Sequence, residues 1–290
     1  MSSIDVIILT YNSARLLPDA VASVRAQTIA DQARLIIIDN ASTDDTLTVA
    51  RDLGIEPDNL IANPVNVGFA AAVNQAASAG SGDYVALLNP DAALGDPKCL
   101  EALRATLDDD QVGVVGTRMI TDGKPYPNGR RFPSTTTAAR HAVMGLLRPG
   151  NTASREYFGT ASEQPDADQV VDWVSGCCLM MRRSLWAQMG GFDERYWMYL
   201  EDCDLCWRLR QRGYRTVLSG PAWVIHHGGQ SSRTRKTKSL WHHHRSAVIF
   251  YATTRTGWKR ALLPAATLFL AARLGALVAL NTARRITGRD

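Results

Sequence analysis

Five short runs rich in β-branched residues, "DVIILT", "RLIIID", "NLIANP", "DYVALLN" and "VGVVGT", recur along the first 117 residues. Each except the last is followed by a stretch with helical spacing: "LLPDAVASVRAQ", "DDTLTVARDLG", "GFAAAVNQAASAG" and "PKCLEALRATLDD". Strand, loop and helix in strict alternation cannot form a hairpin meander. They predict an α/β fold with a mostly parallel sheet and helices on both faces. In such sheets ligands bind beyond the carboxyl ends of the strands.

The polar residues fall where that rule places a site. Thr10-Tyr11-Asn12, Asp39-Asn40 and Asn89-Pro90-Asp91 each close a strand run, so three separate segments converge on one crevice. Asp39 and Asn40 together can accept from and donate to the edge of a pyrimidine base. The competing reading is local: Asp39 or Asp44 caps the helix that follows "STDDT". Pro90 stiffens the next turn, and Asp91 offers a hard oxygen ligand for a divalent ion on a diphosphate; a turn followed by a cap is the alternative.

Residues 118–170 lose periodicity and fill with Pro, Gly, Thr and Arg, which predicts a long functional loop holding a helix near 135–147. Regular spacing returns with a strand near 177–182, a helix from about Tyr199 to Arg212, and strands at "YRTVLS" and "AWVIHH". In "YLEDCDLCWRLRQRGY", Glu201 and Asp202 occupy the first helical turn, where the dipole favours anions, and Leu205 and Leu209 mark the buried face. A carboxylate delivered there can act as a general base. His226 ends "AWVIH" ahead of a glycine-rich turn, a position suited to a metal or phosphate ligand, with His227 its neighbour.

Composition narrows the class. The five cysteines have no scaffold spacing, which suits a reducing compartment, and Cys203 and Cys206 read as small apolar helix residues rather than zinc ligands. No basic segment with an apolar core precedes the first strand, so the expected location is cytoplasmic. Charge is uneven: residues 233–290 hold 12 of the 32 lysines and arginines but one of the 28 acids. "RTRKTK" at 233–238 can close over a diphosphate through Arg233 and Arg235, or be a solvated basic loop. "ALLPAATLFLAARLGALVAL" at 261–280 is interrupted by Pro264 and Arg273 and flanked by basic residues. It predicts helices lying on an anionic membrane surface, with a packing or homodimer interface as the alternative. No nucleic-acid partner is expected. A dinucleotide-dependent oxidoreductase shares the alternating strands and helices, but "TYNSAR" stands where its glycine fingerprint would follow the first strand, which argues against it.

"ILTYN", "IIIDNASTDDT", "NVGFAAAVNQA", "LLNPDA", "GCCLMMRRSLWAQMGGFDERYWMYLEDCDLCWRLRQRGY" and "HHGGQSS", in this order over residues 4–232, resemble the inverting family-2 glycosyltransferases of GT-A fold. "YPNGRRFPS", "GGFDERYWMYLED" and "HHHRSAVIFYATTRTGW" carry a finer likeness, to bacterial rhamnosyltransferases that act on polyprenyl-diphosphate-linked N-acetylglucosamine. The resemblance implies a glycosyltransferase domain over 1–232, with a nucleotide-binding half over 1–117 and an acceptor and metal half over 118–232. A basic helical C-terminal region follows over 233–290. It implies a nucleotide pocket of Thr10, Tyr11, Asn12, Asp39 and Asn40 with Asn66 and Gly68, and an acceptor side of Trp173 and Gly176. Asp202 takes the place of the base, with Glu201 its companion. Asp91 and His226 become the ligands of Mg²⁺ or Mn²⁺. Asn89 stands where the family's DxD pattern has its first acid, so one carboxylate serves the metal, and Asn89 is grouped with the sugar nucleotide.

The implied reaction moves a deoxysugar, L-rhamnose from dTDP-L-rhamnose, to a polyprenyl-diphosphate-linked sugar at the inner membrane face, where the protein is peripheral. Two alternatives stay open: another donor, such as a UDP-hexose for capsule or O-antigen synthesis, and a nucleotide-sugar-binding module without catalysis.

Overall fold

The computed structural model describes residues 3–134, 167–227 and 236–286. The helix expected near 135–147 lies outside the described residues, as do Arg233 and Arg235. Strands β1 (Ile4–Thr10), β2 (Ala33–Asp39), β3 (Leu60–Ala62) and β4 (Tyr84–Leu88) pair in parallel, in the spatial order β3, β2, β1, β4. Helices α1 (Leu17–Arg25), α2 (Thr46–Asp52) and α3 (Phe69–Ala79) connect them. A second half continues the sheet with β11 (Cys178–Arg182), β6 (Val112–Thr121), β12 (Arg215–His226) and β5 (Ala92–Leu94). Here β11 runs antiparallel to both β4 and β6, and β5 antiparallel to β12. The short strands β7 (Lys124–Tyr126) and β9 (Gln169–Val171) flank β6 and β12, and β8 (Gly129–Arg130) pairs separately with β10 (Trp173–Val174).

Both faces of the sheet are buried, and the alternation along each strand sorts the side chains. On β1, Ile4, Val6 and Ile8 face one core with Leu17, Val21 and Ala50, while Ile7 faces the other with Ala72 and Ala76. On β2, Ile37 belongs to the first core, and Ile36 and Ile38 to the second. An apolar run without polar interruption is what a strand covered on both sides requires. The first core is closed by α4 (Cys99–Thr106) through Leu100 and Leu103. The second is closed by α5 (Arg183–Met189) and α6 (Glu201–Gln211) through Leu185, Leu205 and Leu209. Cys203 and Cys206 lie buried within α6 as free thiols, burial pushing Cys206 up to about 12, so they pack as apolar residues.

"YRTVLS" and "AWVIHH", read as two strands, form the single strand β12. It stays parallel to β6 along its length and absorbs Gly220-Pro221 in a register shift between Leu218 and Trp223. Pro221 has no N–H for the ladder and is exposed, so the interruption is tolerated as a bulge rather than an end.

The C-terminal residues form α7 (Lys236–Thr254), α8 (Trp258–Ala261) and α9 (Leu263–Ile286). Their attachment differs. Phe250 of α7 is buried in the second core, and Arg245 and Ser246 bond the carbonyls of Arg195 and Met198. Trp258, Leu262, Leu268 and Phe269 around α9 are exposed. Among the described residues, no helix is long and apolar enough to cross a membrane.

Candidate active site

The carboxyl ends of β1, β2 and β4 open into a cavity of about 620 Å³ that reaches α6 and α7. Three contacts bring its acidic and imidazole side chains together. The antiparallel pairing of β12 with β5 sets His226 opposite Ala92, which places its Nε2 3.3 Å from Oδ1 of the adjoining Asp91. The Asn89 N–H donates to the Cys177 carbonyl, tying the end of β4 to the approach to β11. The N–H of Gly176, one residue earlier, donates to Oδ2 of Asp202 at 2.8 Å. Asp91, His226, Glu201 and Asp202 therefore face one space.

Asp202 reaches this wall through a contorted approach. Tyr199 and Leu200 both hold left-handed backbone conformations, at φ 71° and 67°, which non-glycine residues adopt at a cost. Contacts from outside impose the turn: the Tyr199 hydroxyl bonds Ser239 of α7, and the Phe69 N–H donates to the Trp197 carbonyl. Glycine is obligatory at position 68, at φ 94°, because a Cβ there would lie 2.6 Å from that same carbonyl.

The two acids at the start of α6 are both buried, 6% exposed for Glu201 and 9% for Asp202. Burial raises both above the usual carboxylate range. Their surroundings then separate them. Asp202 accepts the Gly176 and Cys203 N–H groups and feels Arg130, all of which favour the ionised form. Among the described residues the Oε2 of Glu201 has no hydrogen-bond partner, and burial, with the charge of Asp202 added, pushes Glu201 well above its ordinary value. Burial and the Asp202 carboxylate both favour the protonated form of Glu201, whereas two N–H groups and Arg130 oppose the effect of burial at Asp202. The Arg130 guanidinium lies 5.0 Å from the Trp173 ring and 5.6 Å from that of Tyr126, so cation and aromatics share the wall facing Asp202.

A second polar cluster adjoins the crevice and is hydrogen-bonded largely within itself. Asp39 accepts Thr10 Oγ1, Ser42 Oγ and the Ser42 N–H. Asn40 donates to Asn66 Oδ1 and the Gly68 carbonyl, and accepts from Asn63 and the Val67 N–H. Asn12, at φ 53°, accepts from the Thr43 N–H. Asp44 bonds Thr46 at the start of α2, the local role weighed in the sequence for this segment.

A family model described as glycosyl transferase family 2 matches residues 5–189. The N-acetylglucosaminyl-diphospho-decaprenol L-rhamnosyltransferase of Mycobacterium tuberculosis is 37% identical over 246 residues, covering 79% of this chain and 78% of that protein. The chain belongs to glycosyl transferase family 2. Rhamnosyltransferase WbbL of Escherichia coli is 35% identical over a shorter stretch of 89 residues, 31% of this chain and 34% of that protein. The fold is that of GT-A enzymes of known structure. The mannosyltransferase PcManGT of Pyrobaculum calidifontis, solved with GDP-Man and Mn²⁺, superposes with a TM-score of 0.60 at 19% identity over 98% of this chain and 81% of its own. S. aureus TarS residues 1–349, solved with UDP-GlcNAc, gives 0.56 at 15% identity over 93% and 72%.

Within this family 2 glycosyltransferase, the cavity is lined by Tyr11, Asn40, Asn66, Asn89, Asp91, Trp173, Gly176, Glu201, Asp202 and His226 of the residues expected from sequence. Thr10, Asn12, Asp39 and Gly68 are not on its surface. Thr10, Asn12 and Asp39 are engaged in the second polar cluster, and Gly68 gives up its space to Trp197. Arg130 and His242 line or face the same wall without a role in the sequence, and Lys238 ends the "RTRKTK" run read there as able to close over a diphosphate. "YPNGRRFPS" and "HHHRS" were visible as motifs, but only tertiary docking turns them toward the cavity.

Proposed function

We propose that this glycosyltransferase is an inverting rhamnosyltransferase, using dTDP-L-rhamnose as donor and a polyprenyl-diphosphate-linked sugar as acceptor. The observation that carries the reaction type is Asp202: a buried carboxylate that accepts two N–H groups and lines the cavity that holds Asp91 and His226. The choice of sugar and lipid rests on the mycobacterial relative, whose length matches this chain over most of both proteins.

Asp202 removes the proton from the acceptor hydroxyl as its oxygen bonds to the anomeric carbon of the donor. The carbon–oxygen bond to the diphosphate breaks on the opposite face, and the nucleoside diphosphate departs with the electron pair. One displacement inverts the anomeric centre. Glu201, carrying its proton, adds no second negative charge beside the nucleophile and presents a donor to the sugar.

Asp91 and His226 fit a divalent cation, since a carboxylate oxygen and an imidazole nitrogen converge at the cavity surface. Among the described residues no third protein ligand joins them, which leaves positions for diphosphate oxygens and water. Bound there, Mg²⁺ or Mn²⁺ would offset the charge of the leaving group.

The exposed apolar residues around α9, with Arg260 beside them, suit peripheral binding to an anionic bilayer, where a polyprenyl acceptor resides. Purified protein offered radiolabelled dTDP-L-rhamnose and a short-chain prenyl-diphosphate N-acetylglucosamine should yield a labelled disaccharide lipid. Transfer only from a UDP-hexose would overturn the rhamnose assignment. Donor binding without transfer from any sugar nucleotide would favour a binding module.

A further inference from the structure

On α7, Lys238 and His242 stand one helical turn apart, and both line the cavity. The His242 side chain is unusual for a core residue: it is 8% exposed, and neither Nδ1 nor Nε2 has a hydrogen-bond partner among the described residues. Buried polar atoms in folded proteins are paired with few exceptions, and an orphan facing a cavity marks a group that a ligand or water completes. The ring is not loose. It stacks on Trp197 at a centroid distance of 4.0 Å and an interplanar angle of 16°, so its plane is fixed while its nitrogens stay free. Burial, with Lys238 and Arg245 nearby, holds His242 below its ordinary value and keeps one N–H donor on the neutral ring.

The Lys238 ammonium sits 5.2 Å from the same Trp197 ring and makes no ion pair among the described residues. Trp197 is itself anchored through its carbonyl to the N-terminus of α3. A fixed N–H donor and an uncommitted cation held by one aromatic platform suit an anionic oxygen ligand.

We propose that Lys238 and His242 form a phosphate-recognition subsite on the α7 wall, which takes the diphosphate of one of the two substrates. This rests on the donor and acceptor reading above only for the identity of those substrates. α7 would then be a working part of the site, and its two residues would sort diphosphate-bearing ligands from neutral ones.

Calorimetric titration of the full chain with dTDP and, separately, geranyl diphosphate tests this. The variants are Lys238→Ala, Lys238→Arg and His242→Phe, the last keeping the ring stack while removing both nitrogens. Lys238→Ala and His242→Phe should each weaken one probe about tenfold, as expected for loss of a charge-assisted hydrogen bond, and Lys238→Arg should restore most of the loss. Weakening confined to dTDP assigns the subsite to the donor, and weakening confined to geranyl diphosphate assigns it to the lipid acceptor. Both affinities staying within twofold of wild type, in variants with unchanged melting temperature, would overturn the subsite and leave a water-bridged histidine. Wild-type binding of dTDP but not of geranyl diphosphate would count against the lipid acceptor while the dTDP arm still decides the subsite.

Discussion

Two polar clusters lie at the same end of the sheet, and they differ in what they leave unpaired. Around β1 and β2, Asp39, Asn40 and Asn12 use their hydrogen-bonding capacity on neighbouring loops. Around α6 and α7, Glu201 and His242 keep buried polar atoms without partners among the described residues, and burial raises Asp202 above its ordinary value. The first arrangement is paired within the protein, and the second leaves polar atoms open to a ligand. A carboxylate at a strand tip is thus not a functional group by virtue of position. Its partners decide whether it holds a loop or takes a proton.

The contrast can be broken by substitution. Asp202→Asn should lower kcat by about a thousandfold, within the usual range for a positioned general base, with little change in melting temperature. Asp91→Ala or His226→Ala should cost on the order of a hundredfold in kcat, together with weakened Mn²⁺ binding read by calorimetry. Asp39→Ala should act on folding instead. Removing the acceptor of three hydrogen bonds from a buried site should cost roughly 3 kcal/mol in denaturant unfolding. A catalytic defect without a stability defect there would erase the distinction between the clusters.

Glu201→Gln should have the smallest effect on turnover, within about threefold, because glutamine replaces a carboxyl that is already neutral. Its signature is in stability. The folded protein holds the Glu201 proton more tightly than the unfolded chain, whose carboxyl titrates near the ordinary 4.5. That contribution is full below this pH and is lost as pH rises through the folded value. The variant should therefore match wild type in acid and gain melting temperature relative to it as pH rises above 4.5.

The same contrast explains what the sequence could disclose. Strand runs such as Ile36–Ile37–Ile38 state their burial on both faces by composition, and the helices between them follow from spacing. The meeting of Asp91, Asp202 and His226 in one cavity was legible because each sits at an element end in a recognisable motif. The closure of Asp39 by Thr10 and Ser42 was not, since a carboxylate's partners are set only when β1 and β2 align in register. The split of "YRTVLS" from "AWVIHH" failed for a related reason: a bulge and a strand end look alike until β6 supplies the ladder. The basic tail read as an appendage. Its first helix lines the cavity because Phe250 is buried and the 195–199 loop is hydrogen-bonded to Arg245, Ser246 and Ser239, none of which has a local sequence signal.

The pH dependence of kcat/KM, measured in wild type and in Glu201→Gln, tests most directly whether burial sets Asp202 apart as the base. Because burial raises Asp202 above its ordinary 3.8, activity should fall on acidification through a limb above that value, and the limb should persist in the variant. A limb at or below 3.8, or one that vanishes when Glu201 is replaced, would contradict it.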